Sequence, residues 1–130
     1  MKDRLIFIVD DDKIIQNLLD YTFKSREGYI VKVFPTGEEC IANLNLTPDI
    51  IVLDYLFMSN DSKLMSGLDI LEEIRKVDKN VPVFILSSQP SPDLINEFLK
   101  KGANGYIPKE DYFIDTLIES IDKLTSKENI

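Results

Sequence analysis

Five short apolar runs alternate along the chain with stretches whose apolar residues recur at helical spacing. Leu5–Val9, Tyr29–Phe34, Ile50–Leu53, Val81–Leu86 and Asn104–Ile107 read as strands, rich in β-branched and aromatic residues. The first, third and fourth are nearly unbroken apolar runs. Such strands are buried on both faces, as in a parallel sheet covered by helices.

The intervening segments carry helix start and stop signals. Thr36-Gly37-Glu38-Glu39 has the form of a capping box, in which the Thr36 hydroxyl accepts from the Glu39 amide. Ser91-Pro92-Asp93 offers an N-cap, a proline at the first helical position and an acid near the positive helix end. Lys101-Gly102 reads as a helix end, with the glycine free to turn left-handed. The first helix is expected from about Asp12 to Arg26 and the third from about Ser66 to Val77. In the last helix Phe113, Leu117, Ile121 and Leu124 line one side, and the polar stretch Thr125–Ile130 reads as a frayed tail. Strict alternation of strand and helix predicts an α/β doubly wound parallel sheet of five strands flanked by five helices, with right-handed crossovers. Ligands of such sheets bind at the carboxyl ends of the strands.

Composition narrows the function. The 130 residues suit one domain, 1–130, with an ordered core over roughly 3–125. The apolar runs reach about six residues, against the ~20 that span a bilayer, and no charged-then-apolar leader opens the chain. The expectation is a cytoplasmic protein without membrane contact. A net charge of −8 and the lack of a basic stripe argue against direct nucleic-acid binding. Cys40 is the only cysteine, which excludes an internal disulfide, and it reads as a small core residue. There is no histidine. A histidine-based triad, a histidine zinc site and a phosphohistidine on this chain are therefore excluded.

The remaining chemistry gathers at strand ends. Asp10, Asp11 and Asp12 follow the first strand, Asp54 the third, Ser87 the fourth and Lys109 the fifth. Each has a plain alternative: Asp12 as a helix N-cap, which is the favoured reading, Asp10 and Asp11 as a solvated turn, Asp54 as a loop cap, Ser87 as a turn hydroxyl, Lys109 as a surface charge. Together they form an oxygen-rich, negatively charged hollow suited to Mg²⁺, which takes few carboxylates and keeps several waters. A carboxylate there can act as a nucleophile and form an aspartyl phosphate. A hydroxyl donor and a positive clamp complete what phosphoryl transfer needs.

Val9-Asp10-Asp11, Leu53-Asp54, Met65-Ser66-Gly67, Pro82-Val83 through Ser87, and Gly102-Ala103-Asn104-Gly105-Tyr106 through Lys109 stand in the order and spacing of a known family. On these residues the chain resembles the receiver domain of two-component response regulators over essentially its whole length. The resemblance implies a flavodoxin-like sheet in the strand order 2-1-3-4-5. It implies Asp54 as phosphoacceptor, with Asp10 and Asp11 as the acidic pair. Asp11 would ligate Mg²⁺ directly, Asp10 largely through water, and the backbone carbonyl of Leu56 would be a further ligand beside Asp54. Ser87 fills the place of the switch hydroxyl, Lys109 that of the phosphoryl clamp and Tyr106 that of the switch aromatic; a half-buried strand tyrosine is the plain alternative for the last. A sensor histidine kinase or histidine phosphotransfer protein would supply the phosphoryl group. The fourth helix, fifth strand and fifth helix would present a face to a partner or to a second copy. The implied protein is a regulator and not an enzyme, at most assisting its own phosphorylation and dephosphorylation.

Two departures stand out. The segment between Asp54 and Gly67 is about five residues longer than the family's, with Met58 where a proline is usual; such an insertion costs little closure entropy. Glu110 follows Lys109 where the family has proline, which leaves the geometry of the lysine open. Leu56 and Gln89 occupy the variable positions that tune dephosphorylation in the family, and an apolar Leu56 implies slow loss of phosphate. Two other functions remain in view. A phosphohydrolase of the haloacid-dehalogenase type would want an acid where Leu56 stands. A phosphorylation-independent binding module could keep the same fold.

Overall fold

Alternation along the strands decides the layering. The computed structural model describes residues 3–54, 67–87 and 92–128, with side chains as far as Leu124 in the last helix. Its elements are β1 (Arg4–Val9), α1 (Lys13–Lys24), β2 (Tyr29–Phe34), α2 (Gly37–Ala42), a single 3₁₀ turn (Leu44–Leu46), β3 (Ile50–Asp54), α3 (Gly67–Val77), β4 (Val83–Ser87), α4 (Pro92–Lys100), β5 (Gly105–Pro108) and α5 (Phe113–Glu128). All strand pairs are parallel, in the order β2-β1-β3-β4-β5.

Because successive side chains point to opposite faces, each central strand feeds two cores. Phe7, Val9, Ile51, Leu53, Val83 and Ile85 meet Ile70, Leu71 and Ile74 of α3 and Phe98 of α4. Ile6, Ile8, Ile50, Val52, Phe84 and Leu86 meet Leu19 and Phe23 of α1 and Leu117 and Ile121 of α5. Cys40 is wholly buried in the first of these cores, and burial pushes its thiol up to about 12.

Element boundaries differ from the expectation for local reasons. Asp12 is the N-cap of α1, its carboxylate accepting from the Ile14 amide at 2.9 Å, so the helix starts at Lys13. It stops at Lys24: the Ser25 amide still donates to Tyr21, but that of Arg26 reaches only to Phe23, and Gly28 follows with φ +92°. β4 starts at Val83, two residues late: the Val81 amide donates to Asp78 Oδ1 and Pro82 has no amide to donate. β5 lies one residue further along than expected. α5 runs on to Glu128, into the stretch that reads from sequence as a tail, where no glycine or proline intervenes. The Thr36 cap stands as expected, accepting from the Glu39 amide at 3.2 Å. α4 ends as Lys101-Gly102 predicts: Gly102 has φ +106°, its amide donates to Leu99 and that of Ala103 to Phe98, the double bond pattern of a glycine-terminated helix.

Candidate functional site

The parallel register brings four strand ends to one edge. Val9 pairs with Leu53, Asp54 with Leu86, and Ser87 with Pro108. Asp10 therefore emerges beside Asp54, and Lys109 beside Ser87. The Lys109 amide donates to the Ser87 carbonyl at 2.7 Å, which fixes the start of the β5–α5 loop against β4. Among the described residues the buried polar or charged side chains are Asp10, Asp54 and Ser87, at 1%, 2% and 0% exposure. Polar groups are buried only at a cost, so their concentration at one edge marks this place in an otherwise apolar interior.

Lys109 joins the two acids. Its ammonium donates to Asp54 Oδ2 and lies 3.7 Å from Asp10 Oδ2. The Lys109–Glu110 peptide is trans, as are the other described peptide bonds. Asp10 is held from the other side as well. Its Oδ1 accepts from the Asp12 amide at 2.9 Å, and the Gln16 side-chain amide donates to its carbonyl. Its Oδ2 is buried and accepts no hydrogen bond. Desolvation pushes the Asp10 carboxyl up to about 8; the proton that it could share with Asp54 and the charge of Asp54 add to the rise, while the Asp12 amide and Lys109 oppose it.

The sequence-named residues thus fall into groups. Asp10, Asp54 and Lys109 are in direct contact or ion-pair distance, with Ser87 on the adjoining strand end. Asp11 follows Asp10 at the rim with an exposed side chain, and Asp12 turns away to cap α1. Tyr106 is half-buried on β5 and packs against Phe98 of α4, ring centroids 5.8 Å apart. Leu56 and Gln89, like the long segment 57–66, lie outside the described residues. Gln16 was not singled out from sequence. It stands in the first turn of α1, and only the fold returns it to Asp10.

The donor set fits a hard cation. Two buried carboxylates lie close together, and one carries an oxygen with no donor to satisfy it. Among the described residues no three acidic, histidine or cysteine side chains converge to cage an ion on their own. Mg²⁺ takes one or two carboxylates and fills its other positions with water and carbonyl oxygens.

The family model for the response regulator receiver domain matches residues 6–122. This chain belongs to that family. The receiver domain is 27% identical to the chemotaxis protein CheY of Thermotoga maritima over 92% of this chain and 96% of that protein. It is 30% identical to the response regulator MprA of a Mycobacterium species (strain KMS) over 80% of this chain, and the match spans 43% of that longer protein. Among solved structures it superposes on a CheY-like receiver domain protein of Methanospirillum hungatei with a TM-score of 0.82 at 26% identity, covering 98% of each chain. It also superposes on the BeF₃-activated DrrB receiver domain, with a TM-score of 0.78 at 25% identity, over 95% of this chain and 98% of that one. Response regulators interact with histidine kinases, their receiver domains generally bind Mg²⁺ at the acidic site, and the family is generally not enzymatic. Among the described residues of this receiver domain, no helix is long and apolar enough to cross a membrane.

Proposed function

We propose that this receiver domain is a phosphorylation-driven signalling switch that accepts a phosphoryl group on Asp54. The observation that carries the reading is the buried Asp54 carboxylate at a strand end, in contact with Lys109 and beside Asp10. A sensor histidine kinase or histidine phosphotransfer protein supplies the group, since this chain has no histidine of its own. A carboxylate oxygen of Asp54 forms the new P–O bond as the P–N bond to the donor imidazole breaks, and the imidazole keeps the electron pair and takes up a proton.

Asp11, Asp54 and the Leu56 backbone carbonyl would hold Mg²⁺ directly, with Asp10 acting largely through water. When bound, the ion would offset the repulsion among these oxygens and those of the phosphoryl group. Lys109 already lies across the two carboxylates and stays within reach of an oxygen placed on Asp54. The Ser87 hydroxyl is the donor on the next strand. Tyr106 carries the change outward, because its ring rests on Phe98 and so ties β5 to α4. The face built by α4, β5 and α5 is then read by a partner or by a second copy.

Incubation with Mg²⁺ and acetyl phosphate, followed by weighing the intact chain, tests the reading. The expected result is one phosphoryl adduct in the wild type and none in Asp54→Asn. No adduct, together with no binding of beryllofluoride, would point instead to a binding module that has kept the fold.

A further inference from the structure

Far from the acidic edge, one side chain binds three parts of the fold together. Arg75, in the last turn of α3, uses all five of its N–H donors. Nε and one terminal nitrogen donate to the Gly102 carbonyl at 3.1 and 2.6 Å, and the latter also reaches Asn104 Oδ1 at 3.1 Å. The other terminal nitrogen donates to the carbonyls of Asp78 and Val81 at 3.1 and 2.8 Å. The acceptors lie on the α3–β4 connection and on the α4–β5 turn.

The turn itself is shaped around this guanidinium. Gly102 has φ +106°, and a Cβ placed there would lie 2.8 Å from Arg75 Nε. Asn104 Oδ1 accepts from Arg75 and from the Val83 amide at 3.0 Å, and the Asn104 amide donates to the Val83 carbonyl at 2.8 Å. One turn earlier on α3, Glu72 pairs with Lys101, the residue after α4. The near end of α4–β5 is therefore fastened to α3 and to the start of β4. The far end of β5 carries Lys109 in the candidate site, four residues beyond Gly105.

We infer that Arg75 is a positioning residue that makes the α4–β5 turn a fixed pivot, so that a change at the phosphoacceptor moves the Lys109 end of β5 and leaves the Gly102 end in place. The inference rests on the switch reading above. A strand clamped at one end and pulled at the other transmits displacement to whatever packs midway, and here that is Tyr106 against Phe98. Without the clamp the same pull is spread into the turn. Coupling of this kind needs an element whose two arrangements the site biases, and β5 with α4 is that element.

Backbone amide NMR of the full chain, before and after addition of Mg²⁺ and beryllofluoride, tests this in the wild type, Arg75→Met and Arg75→Lys. In the wild type, shift changes should be large at Tyr106 through Lys109 and at least threefold smaller at Gly102 through Asn104. In Arg75→Met the changes at Gly102 through Asn104 should rise to match those at Lys109, and beryllofluoride affinity should fall at least threefold. Arg75→Lys, with three donors on a flexible stem, should lie between. Asn104→Ala provides the same readout if Arg75→Met does not fold. A wild type that responds equally at both ends of β5, or variants that repeat the wild-type gradient and affinity, would overturn the pivot while leaving the switch intact. A wild type that does not respond at all would overturn the switch and the pivot with it.

Discussion

Asp10 shows what burial does to one carboxylate. Its Oδ2 has no donor, Asp54 is beside it, and its carboxyl is pushed up to about 8 from 3.8. The folded state therefore holds a proton that the unfolded chain releases at any pH between these values. That contribution to stability is fully present below the unfolded value and is lost as pH rises through about 8. In chelator-treated protein, the wild type should lose on the order of a few kcal/mol relative to Asp10→Asn between pH 5 and pH 9. Urea denaturation of both at a series of pH values measures the difference; parallel curves would show that Asp10 titrates normally. From sequence, Asp10, Asp54, Ser87 and Lys109 could be named because each follows an apolar run, and strands of such a sheet end together. The orphaned oxygen could not be foreseen, since it depends on where Gln16 and Lys109 reach. Arg75 was equally silent: a basic residue in a last helical turn is ordinary, and its acceptors come together only in the fold.

At the scale of elements, sequence signals were strongest where one residue acts alone. The Asp12 and Thr36 caps and the Gly102 terminus need only their own neighbours to form, and each stands where the pattern predicts. Boundaries moved where a distant or side-chain partner competes, as Asp78 does for the Val81 amide at the start of β4. Gly37 at the start of α2 illustrates a contact that local pattern does not reveal. A Cβ there would fall 2.4 Å from Ile70 Cδ1 of α3, so the two helices approach through the missing side chain. Gly37→Ala should destabilise the domain by about 1–3 kcal/mol through overpacking, despite alanine's better helix propensity. In an Ile70→Ala background the added cost of Gly37→Ala should shrink, because that change removes the Cδ1, Cγ1 and Cγ2 atoms that the new Cβ meets. Thermal denaturation of the single and double variants checks the coupling, and additive losses would place the conflict elsewhere.

Across the whole molecule, the two-sided core holds a five-stranded sheet rigid enough to present Asp10, Asp54, Ser87 and Lys109 at one edge, while α4 and β5 are tied down at the other. The doubly wound parallel class, and with it the edge where chemistry collects, was readable because unbroken apolar runs, helical spacing and strand-end acids all agreed; the strand order followed only from the resemblance to the receiver family. The long segment after Asp54 is the main departure from the family pattern, and it lies outside the described residues. The central claim concerns one atom group, the Asp54 carboxylate. Borohydride reduces an acyl phosphate to an alcohol and leaves free carboxylates untouched. Protein treated with Mg²⁺ and acetyl phosphate, then with borohydride, and mapped by peptide mass spectrometry should carry homoserine at position 54 and at no other acidic position. Reduction at Asp10 or Asp11, or a phosphoryl adduct that leaves position 54 unreduced, would contradict the account.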